Sequence, residues 1–390
     1  MALSIVQTPA TASLAQSPII FSINESTTAT VLQDGFQYIC DLYYWQGAIN
    51  NSGSAGDYTL AKYPNTSLNG IFDLNRILNS TLTDLAQANQ SNVVYFAADF
   101  YTQYLTGSVY VTGSHLKSQT YKALDGYGIF QEPIGQPIYD KTPHWPLMTD
   151  GPATQSAFIT NEGTSGIYTG TTGGGTQPTQ VFYRSSTGAT ATYNVSGNTT
   201  TSGQIAQYPI GPAQSGFPLS TIGMEWFSVE PTDGFITVGQ SIRYNIVCEQ
   251  KYPNIRIKWK NRYGQFDWFN FNMVNRQGFN TVRKTYQPQL GSWQAATLSY
   301  NNYDSSTLNY ISDSSQTLSV QTDWVSEDYN NIFKELLVTD EAYWIYDEAT
   351  GDLRPITIST DSITFKTGVN DKVIQYGFDF NWGQDYKLII

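Results

Sequence analysis

The sequence is short of charge. Charged residues fill only 13% of its 390 positions, about half of the quarter that is usual in soluble proteins. Serine, threonine, asparagine, glutamine, glycine and tyrosine take their place, and such uncharged polar groups cost less to desolvate than charges do. A surface of this kind suits lasting contact with neighbouring molecules. A β-protein with threonine- and asparagine-rich turns would also have this composition.

Cysteine and histidine are scarce as well. Cys40 and Cys248 are far apart, which argues against a disulfide framework and a CxxC metal site. A histidine-based triad would have to use His115 or His144, and both lie in loop-like sequence. The chain also lacks the P-loop, the dinucleotide-binding glycine motif, the zinc-protease helix motif and the nucleophile elbow. We therefore expect no enzyme activity and no catalytic, cofactor-binding or metal site.

Long apolar runs are missing too. No stretch reaches the length needed to span a bilayer. The first residues show no basic region followed by an apolar segment, so we expect neither membrane insertion nor a secretory signal. The formal net charge of −12 opposes general binding to nucleic acid. We expect the protein to be made and kept in a cytoplasm until something releases it.

Aromatic residues, by contrast, are abundant. The chain has 28 tyrosines, 19 phenylalanines and 9 tryptophans. These residues favour strands, and tyrosine and tryptophan also favour interfaces because one end is apolar while the other forms hydrogen bonds. We predict a mainly β protein with two antiparallel β-sandwich-like domains, a Gly/Ser/Thr-rich insertion and one or two short helices.

Residues 1–141 are predicted to form the first β-domain. Alternating and aromatic-rich segments indicate strands at 36–45, 58–63, 92–101 and 108–112. Apolar residues at helical spacing predict one short helix over 74–88. A run of asparagine, serine and glycine at 50–57 indicates a loop.

Residues 142–215 differ from the rest of the chain. Their only charged residues are Asp150, Glu162 and Arg184, and glycine, threonine and serine dominate. Short β-like pieces remain at 180–184 and 191–195. Long segments of this kind are either functional or disordered. We interpret this one as an extended insertion or hairpin that crosses a neighbouring subunit, with a mobile surface loop as the alternative.

Residues 216–390 are predicted to form the second β-domain. Strand patterns occur at 241–248, 255–260 and 374–382. The segments 342–346 and 353–358 flank a polar turn at 347–352, which predicts a hairpin.

The charges of this second domain are unevenly distributed. Between residues 251 and 284 there are eight basic residues and one acid, Asp267, whereas acids outnumber bases 15 to 5 from Tyr300 onwards. Bands of opposite sign can pair head to tail in a ring, and a basic band that faces a lumen would contact DNA. The alternative is two solvated sheet faces without a role. The candidate interaction residues are Arg256, Lys258, Lys260, Arg262, Arg276, Arg283 and Lys284.

The segment Ile255–Phe271 is the most distinctive in the chain. An alternating strand ends at Trp259, a turn follows, and aromatic residues return on a second strand. Asn and Gly in the turn supply unusual backbone angles. Arg262 and Asp267 flank the turn, and a pair between them would fix the hairpin and perform no chemistry. The alternative is an exposed ion pair that contributes almost nothing to stability.

This segment resembles a W-x-N-R-x-G-x-[FW]-D-x-[FY]-x-F pattern of virion structural proteins of tailed phages, including crAss-like and related phages of Bacteroidetes and some marine phages. Residues 123–130 and 365–372 are also similar to that group, whereas residues 142–215 are not part of the pattern. The resemblance implies a tail, connector-ring or baseplate protein that assembles in the host cytoplasm. Its partners would be copies of itself, in a symmetric homo-oligomer, and other virion proteins.

Two alternatives remain open. One is a capsid, decoration or fibre protein of the same kind of particle. The other is a carbohydrate-binding or glycan-cleaving surface module, because paired carboxylates have no short motif and their spacing is set in space. Glu225–Trp226 and Asp267–Trp268 place acids beside aromatic residues, as sugar sites often do.

Overall fold

A computed structural model gives the fold. It describes residues 3–46, 58–83, 93–129, 147–161, 163–168, 179–185, 190–195, 205–212, 224–231, 241–247, 252–347, 351–368, 371 and 374–384. The protein is mainly β, as predicted from its sequence. It divides into two compact units: Met1–Val247 with Lys260–Asp267 form unit 1, and Cys248–Trp259 with Trp268–Ile390 form unit 2.

The first 247 residues contain seventeen strands and two helices among the described residues. The helices are α1 (Thr28–Val31) and α2 (Asn75–Thr83). The strands are β1 (Leu3–Gln7), β2 (Ala12–Leu14), β3 (Ile20–Glu25), β4 (Gln37–Trp45), β5 (Tyr58–Lys62), β6 (Asn69–Asp73), β7 (Val93–Thr106), β8 (Val109–Thr112), β9 (Leu116–Lys117), β10 (Tyr121–Leu124), β11 (Thr154–Ala157), β12 (Gly163–Tyr168), β13 (Thr179–Ser185), β14 (Thr190–Val195), β15 (Ile205–Ile210), β16 (Met224–Pro231) and β17 (Ile242–Ile246).

Two sheets of unit 1 enclose an aromatic-rich core. One sheet has the order β1-β3-β6, and the other has the order β2-β10-β7-β4-β5 with β8 and β9 paired to β7. Side chains alternate across a strand, so Tyr38, Cys40 and Leu42 of β4 point to the same side. They pack with Phe21 of β3 and Phe100 of β7 in one buried cluster. Helix α2 contributes Leu78 and Leu82 to this core.

The remaining strands of unit 1 form a five-stranded sheet, β11-β17-β16-β13-β14, and a two-stranded sheet, β12-β15. The β-like pieces predicted at 180–184 and 191–195 are the strands β13 and β14, which pair with each other. Because β13 also pairs with β16 along Met224–Pro231, the sheet joins sequence on both sides of residue 216. The unit therefore continues to Val247, beyond the position at which the sequence suggested a new domain.

Seven further strands and one α-helix follow in the chain, and together the strands form one sheet of order β19-β18-β22-β23-β24-β21-β20. The helix is α3 (Asn330–Val338), preceded by a 3-10 turn at Glu327–Tyr329. The strands are β18 (Ile255–Lys260), β19 (Phe266–Phe271), β20 (Arg276–Tyr286), β21 (Leu308–Gln321), β22 (Ala342–Asp347), β23 (Asp352–Ile358) and β24 (Gly377–Trp382).

The core of unit 2 lies where α3 packs against this sheet. Ile332, Phe333 and Leu336 recur at helical spacing and are buried with Trp259 of β18 and Phe378 of β24. The Phe333 ring meets that of Phe378 at 5.3 Å between centroids. Strands β18, β19 and β21 to β24 all contribute to this core, whereas the edge strand β20 carries mostly exposed side chains.

Several local predictions can be compared with these elements. The predicted hairpin is present, since β22 pairs with β23. The predicted helix at 74–88 begins at Asn75 and is described to Thr83. Residues 84–88, the predicted loop at 50–57 and positions 348–350 of the predicted turn lie outside the described residues. No described helix combines the length and the apolar character that crossing a membrane requires.

Candidate interaction surface

The seven basic residues singled out in the sequence lie on two consecutive hairpins. Four of them belong to β18 and the turn that follows it, and three belong to β20. The structure therefore does not gather them into one band. The first group is Arg256, Lys258, Lys260 and Arg262; the second group is Arg276, Arg283 and Lys284.

Of the first two residues of the first group, Arg256 is buried and Lys258 is partly exposed. Arg256 is only 2% exposed, and its guanidinium lies 4.1 Å from the ring centroid of Trp268. Burial lowers the pKa of Lys258, whose ammonium lies 6.0 Å from the ring of Tyr343. A cation stacked on an aromatic face and shielded from water stabilises the strand that carries it. These two residues brace unit 2 and present little charge to a partner.

The other two residues of this group form ion pairs within unit 1. Lys260 Nζ lies 2.5 Å from Asp125 Oδ2, and Arg262 Nε lies 2.6 Å from Asp150 Oδ2. The sequence suggested a pair between Arg262 and Asp267; the structure instead gives Arg262 the carboxylate of Asp150. The physical reason is burial, because the Arg262 side chain is 9% exposed and a buried guanidinium requires a carboxylate within reach.

Asn261 organises the turn between β18 and β19. Its side-chain oxygen accepts hydrogen bonds from the backbone N–H groups of Tyr263 and Gln265, each at 3.0 Å. Its amide group donates to the carbonyl of Met148 at 2.8 Å and to Asp267 Oδ2 at 3.1 Å. An asparagine that satisfies neighbouring backbone groups in this way replaces the hydrogen bonds that a tight turn leaves unmade.

Gly264 completes the turn. Its φ of 70° lies in the left-handed region, and a Cβ at this position would lie 2.8 Å from the carbonyl oxygen of Asp125. Only glycine meets both conditions without strain. The part of the resemblance pattern that reads N-R-x-G therefore corresponds to a turn specified by its backbone.

Asp267 lies beside this turn, with its side chain partly exposed. Burial raises its pKa from the usual 3.8 to about 7, although hydrogen bonds from Asn261 and Thr149 oppose this shift. The neighbouring charge of Asp150 raises the pKa further. Its hydrogen bond with Asn261 makes Asp267 part of the network that holds the turn.

The second group of bases lies on a feature that the sequence analysis did not identify. Strands β20 and β21 pair from Arg276–Ser319 to Tyr286–Leu308, whereas β24 pairs with β21 only from Thr317 to Gln321. Beyond that point β20 and β21 form a two-stranded ribbon, which extends roughly 27 Å over residues 279–286 at the usual rise per residue. We call residues 276–321, the ribbon with its connecting loop, the arm.

The arm exposes an unusual amount of apolar surface. Of the 23 large hydrophobic side chains that are exposed among the described residues, nine lie in the arm. Single exposed apolar residues are normal on a protein, but a concentration of them marks an interaction site. The nine are Phe279, Val282, Tyr286, Trp293, Leu298, Tyr300, Tyr303, Leu308 and Tyr310.

The tip of the arm, residues 287–307, is held by its own hydrogen bonds. The backbone N–H of Ser292 donates to the carbonyl of Ser299 at 3.0 Å. The indole N–H of Trp293 donates to the carbonyl of Leu290 at 2.7 Å, yet the side chain remains 64% exposed. Gly291 adopts a φ of 89°, and a Cβ there would lie 2.8 Å from Leu298. The loop thus presents its aromatic rings from a defined backbone.

The tip contains one charged residue, Asp304, among residues rich in serine, asparagine, glutamine, threonine and tyrosine. The same mixture dominates antibody paratopes, where tyrosine and tryptophan supply contact area and small polar residues supply adaptable hydrogen bonds. The chemistry of the tip therefore suits a protein surface.

The three bases of the arm do not form one patch. Successive side chains alternate across a strand, so Arg276 and Lys284 share a face of β20 and Arg283 lies on the other. Asp313 is opposite Val282, on the face of Lys284. All three bases are exposed, and none has an ion-pair partner among the residues that the structure describes. This spacing offers scattered contacts to DNA phosphates and no continuous track.

The other candidates for chemistry are isolated. His115 Nδ1 lies 3.0 Å from Asp99 Oδ2, and its ring lies 4.5 Å from that of Tyr101; His144 lies outside the described residues. Within the described ranges, no group of three or more histidine, cysteine, aspartate or glutamate side chains is arranged to hold a metal.

In the two acid–aromatic pairs considered for a sugar site, each tryptophan ring packs against an arginine. Trp268 is 9% exposed and is covered by Arg256. The ring of Trp226 lies under the guanidinium of Arg243 at 4.5 Å. Each of the two tryptophans therefore has one arginine of the protein stacked on its ring.

Comparison with known proteins adds little to this description. No known family model matches the chain, and no curated protein matches its sequence. Among solved structures, the full extracellular region of plexin A4 (domains 1 to 8) aligns with 100% of this chain and 40% of that one, at 8% identity and a TM-score of 0.18. The chain thus spans well under half of that protein, and so low a score carries no argument about fold or function.

Proposed function

We propose that the chain is a structural component of a bacteriophage virion, a tail, connector-ring or baseplate protein that acts by self-assembly and protein–protein contacts. The resemblance of residues 255–271 to virion structural proteins of tailed phages supports the assignment to a phage particle. The observation that carries the proposal is the arm, whose nine exposed apolar side chains are the feature expected of a surface that a neighbouring subunit covers.

The composition of the chain supports the same function. A low fraction of charged residues makes a surface inexpensive to desolvate, and aromatic residues are enriched where proteins meet. The arm combines these properties, since its only charged residues are Arg276, Arg283, Lys284, Asp304 and Asp313. Contacts of this kind depend weakly on salt, which suits a particle that must survive outside the cell.

The test replaces the aromatic rings of the tip. Trp293→Ser, Tyr300→Ser and Tyr303→Ser remove rings that are 64%, 69% and 85% exposed, so the free energy of unfolding should change by less than about 0.5 kcal/mol each. Central aromatic anchors of an interface cost about 2 kcal/mol or more when they are truncated. We therefore expect the triple variant to fold normally and to be lost from purified particles, as measured by quantitative mass spectrometry.

A matched control changes aromatic residues outside the arm. Trp324→Ser and Tyr63→Ser remove rings of similar exposure, 63% and 69%, and should leave incorporation unchanged. Absence of the unsubstituted chain from purified particles would contradict the proposal. Normal incorporation of the triple tip variant, or an equal loss for the control, would refute the role of the tip.

The two alternatives give different results in further experiments. A capsid, decoration or fibre protein would follow the symmetry of the shell or fibre in an image of the particle, whereas a tail or connector protein would lie on the tail axis. A carbohydrate-binding module would bind a glycan array through the same tip, because exposed aromatic rings also stack on sugars. Residues 287–307 contain a single carboxylate, too few for paired acid catalysis, which argues against glycan cleavage at the tip.

A further inference from the structure

The outer edge of the arm offers a second means of association. Strand β20 is the last strand of its sheet, and it runs from Arg276 to Tyr286 without proline. The pairing of β20 with β21 shifts register between Lys284 and Thr285, where Tyr310 is the additional residue on β21. The irregularity therefore belongs to β21, and β20 itself is an uninterrupted strand with one side unpaired by any described strand.

We infer that β20 pairs with β20 of a second copy of this chain, antiparallel, with Thr281 opposite Thr281. This inference rests on the proposed function, since it names one of the partners that the arm would bind. The result is a continuous sheet in the order β21-β20-β20-β21 across a twofold axis. Backbone hydrogen bonds would provide affinity, and the opposed side chains would provide the register.

Geometry restricts the possible registers. Residues opposite each other in an antiparallel ladder direct their backbone groups in the same way. In two identical strands, such partners must both be even-numbered or both be odd-numbered. The ladder must therefore be centred on a residue and not between two residues, which leaves few registers that use most of the strand.

Charge selects among these registers. Centring the ladder on Asn280 places Arg276 opposite Lys284, and centring it on Arg283 places the two copies of Arg283 opposite each other. Like charges in such positions are destabilising. Centring it on Val282 avoids this repulsion but leaves Arg276 beyond the end of the ladder. Only the ladder centred on Thr281 uses all of Arg276–Tyr286 without opposing like charges.

The same register makes the side chains complementary. Arg276 faces the second copy's Tyr286, and Arg283 faces the second copy's Phe279. A cation beside an aromatic ring is favourable. The twofold axis repeats each of these two arginine–aromatic contacts once. Lys284 faces Gly278, whose missing side chain leaves room for the lysine stem. The two Thr281 side chains meet at the centre, a favourable cross-strand pair.

Exposed bases on an edge strand also have a protective meaning, because natural proteins use them to prevent edge pairing. The two readings differ in the outcome of cross-linking. Thr281→Cys would place two thiols opposite each other, with Cα atoms about 4.5–5.5 Å apart, which is within the range of a disulfide. The full-length chain with this substitution should become a disulfide-linked dimer under mild oxidation.

Thr285→Cys is the matched control. It replaces the same residue type on the same face of the same strand. In the proposed register, Thr285 faces Gln277 of the second copy, and the two Thr285 residues lie about 27 Å apart. Thr285→Cys alone and Gln277→Cys alone should remain monomeric in non-reducing gels, and a mixture of the two should cross-link. The unsubstituted chain controls for Cys40 and Cys248.

The outcomes separate this inference from the proposed function. Dimers of Thr281→Cys, with cross-linking of Gln277→Cys and Thr285→Cys only on mixing, support the register. A monomeric Thr281→Cys chain, or equal cross-linking of Thr281→Cys and Thr285→Cys, overturns it. In that case the proposed function still stands if the tip variants are lost from particles. Conversely, a dimer in register whose tip variants incorporate normally would refute only the role of the tip.

Discussion

The hairpin β18–β19 and the arm follow each other in the chain and carry similar side chains, but they are used in opposite ways. Both combine arginine and lysine with aromatic residues. In the first hairpin, Arg256 is 2% exposed and Trp259 is completely buried. In the arm, Trp293 and Tyr303 are 64% and 85% exposed.

This difference separates stability from association. A buried cation needs a fixed partner, such as Asp150 for Arg262, and removing either partner is costly. An exposed aromatic ring contributes little to folding, and its value appears when another surface covers it. The first hairpin should therefore control the folding of the chain, and the arm should control what the folded chain binds.

The largest expected effect tests this division with two tryptophans. Trp259→Ala empties a position in the core of unit 2, and such truncations cost about 3–5 kcal/mol. Trp293→Ala removes an exposed ring and should change the free energy of unfolding by less than about 0.5 kcal/mol. Urea unfolding followed by circular dichroism measures both. Similar losses for the two variants would show that the arm is part of the folding core.

Two glycines sharpen the comparison at an intermediate scale. Gly264 and Gly351 share a φ of 70°, but a Cβ at Gly264 would meet Asp125 whereas one at Gly351 meets nothing within 4 Å. Gly351→Ala should therefore cost only the left-handed backbone term, about 1–2 kcal/mol. Gly264→Ala adds steric overlap with a buried carbonyl and should cost roughly 2–4 kcal/mol.

Thermal unfolding of the two alanine variants isolates the role of packing around the turn, because the backbone angle is matched. A Gly264→Ala chain as stable as Gly351→Ala would mean that the turn can move away from Asp125. The close packing of the first hairpin would then not be required for folding.

The strands of the two cores could be predicted from the sequence because burial imposes a period of two. In β4, Tyr38, Cys40 and Leu42 lie two residues apart and pack in one core, and Ile255, Ile257 and Trp259 do the same in β18. The turn at Asn261 and Gly264 could also be predicted, because asparagine and glycine are the residue types that tight turns require.

The arm was not predicted because β20 and the first part of β21 have no buried face. Residues 276–286 are mostly polar on both sides, so the alternation that marks a half-buried strand is absent. The seven basic residues do not form a single surface, and the sequence could not show this for a related reason. Which bases are buried depends on Asp125 and Asp150, which lie more than a hundred residues earlier in the chain. A residue-by-residue reading of charge contains no information about such distant partners.

The last expected effect is the change in folding stability per pH unit that Asp267 causes. Its pKa in the folded protein is raised to about 7 from the usual 3.8. Between these values the folded state holds a proton that the unfolded state has released. Stability should therefore be greatest below about pH 4 as far as this group is concerned, and it should fall as the pH rises to about 7, by at most about 1.4 kcal/mol per pH unit. Above pH 7 this contribution should be constant.

Asp267→Asn removes the titration while retaining an oxygen that can accept from Asn261. Urea unfolding between pH 4.5 and pH 8 should show a shallower loss of stability for this variant than for the unsubstituted chain. Asp313→Asn, at an exposed position of the arm, is the control and should retain the original slope. Parallel pH profiles for all three chains would mean that the pKa of Asp267 is not raised in the folded protein. The contrast between the packed first hairpin and the exposed arm would then lose this part of its physical basis.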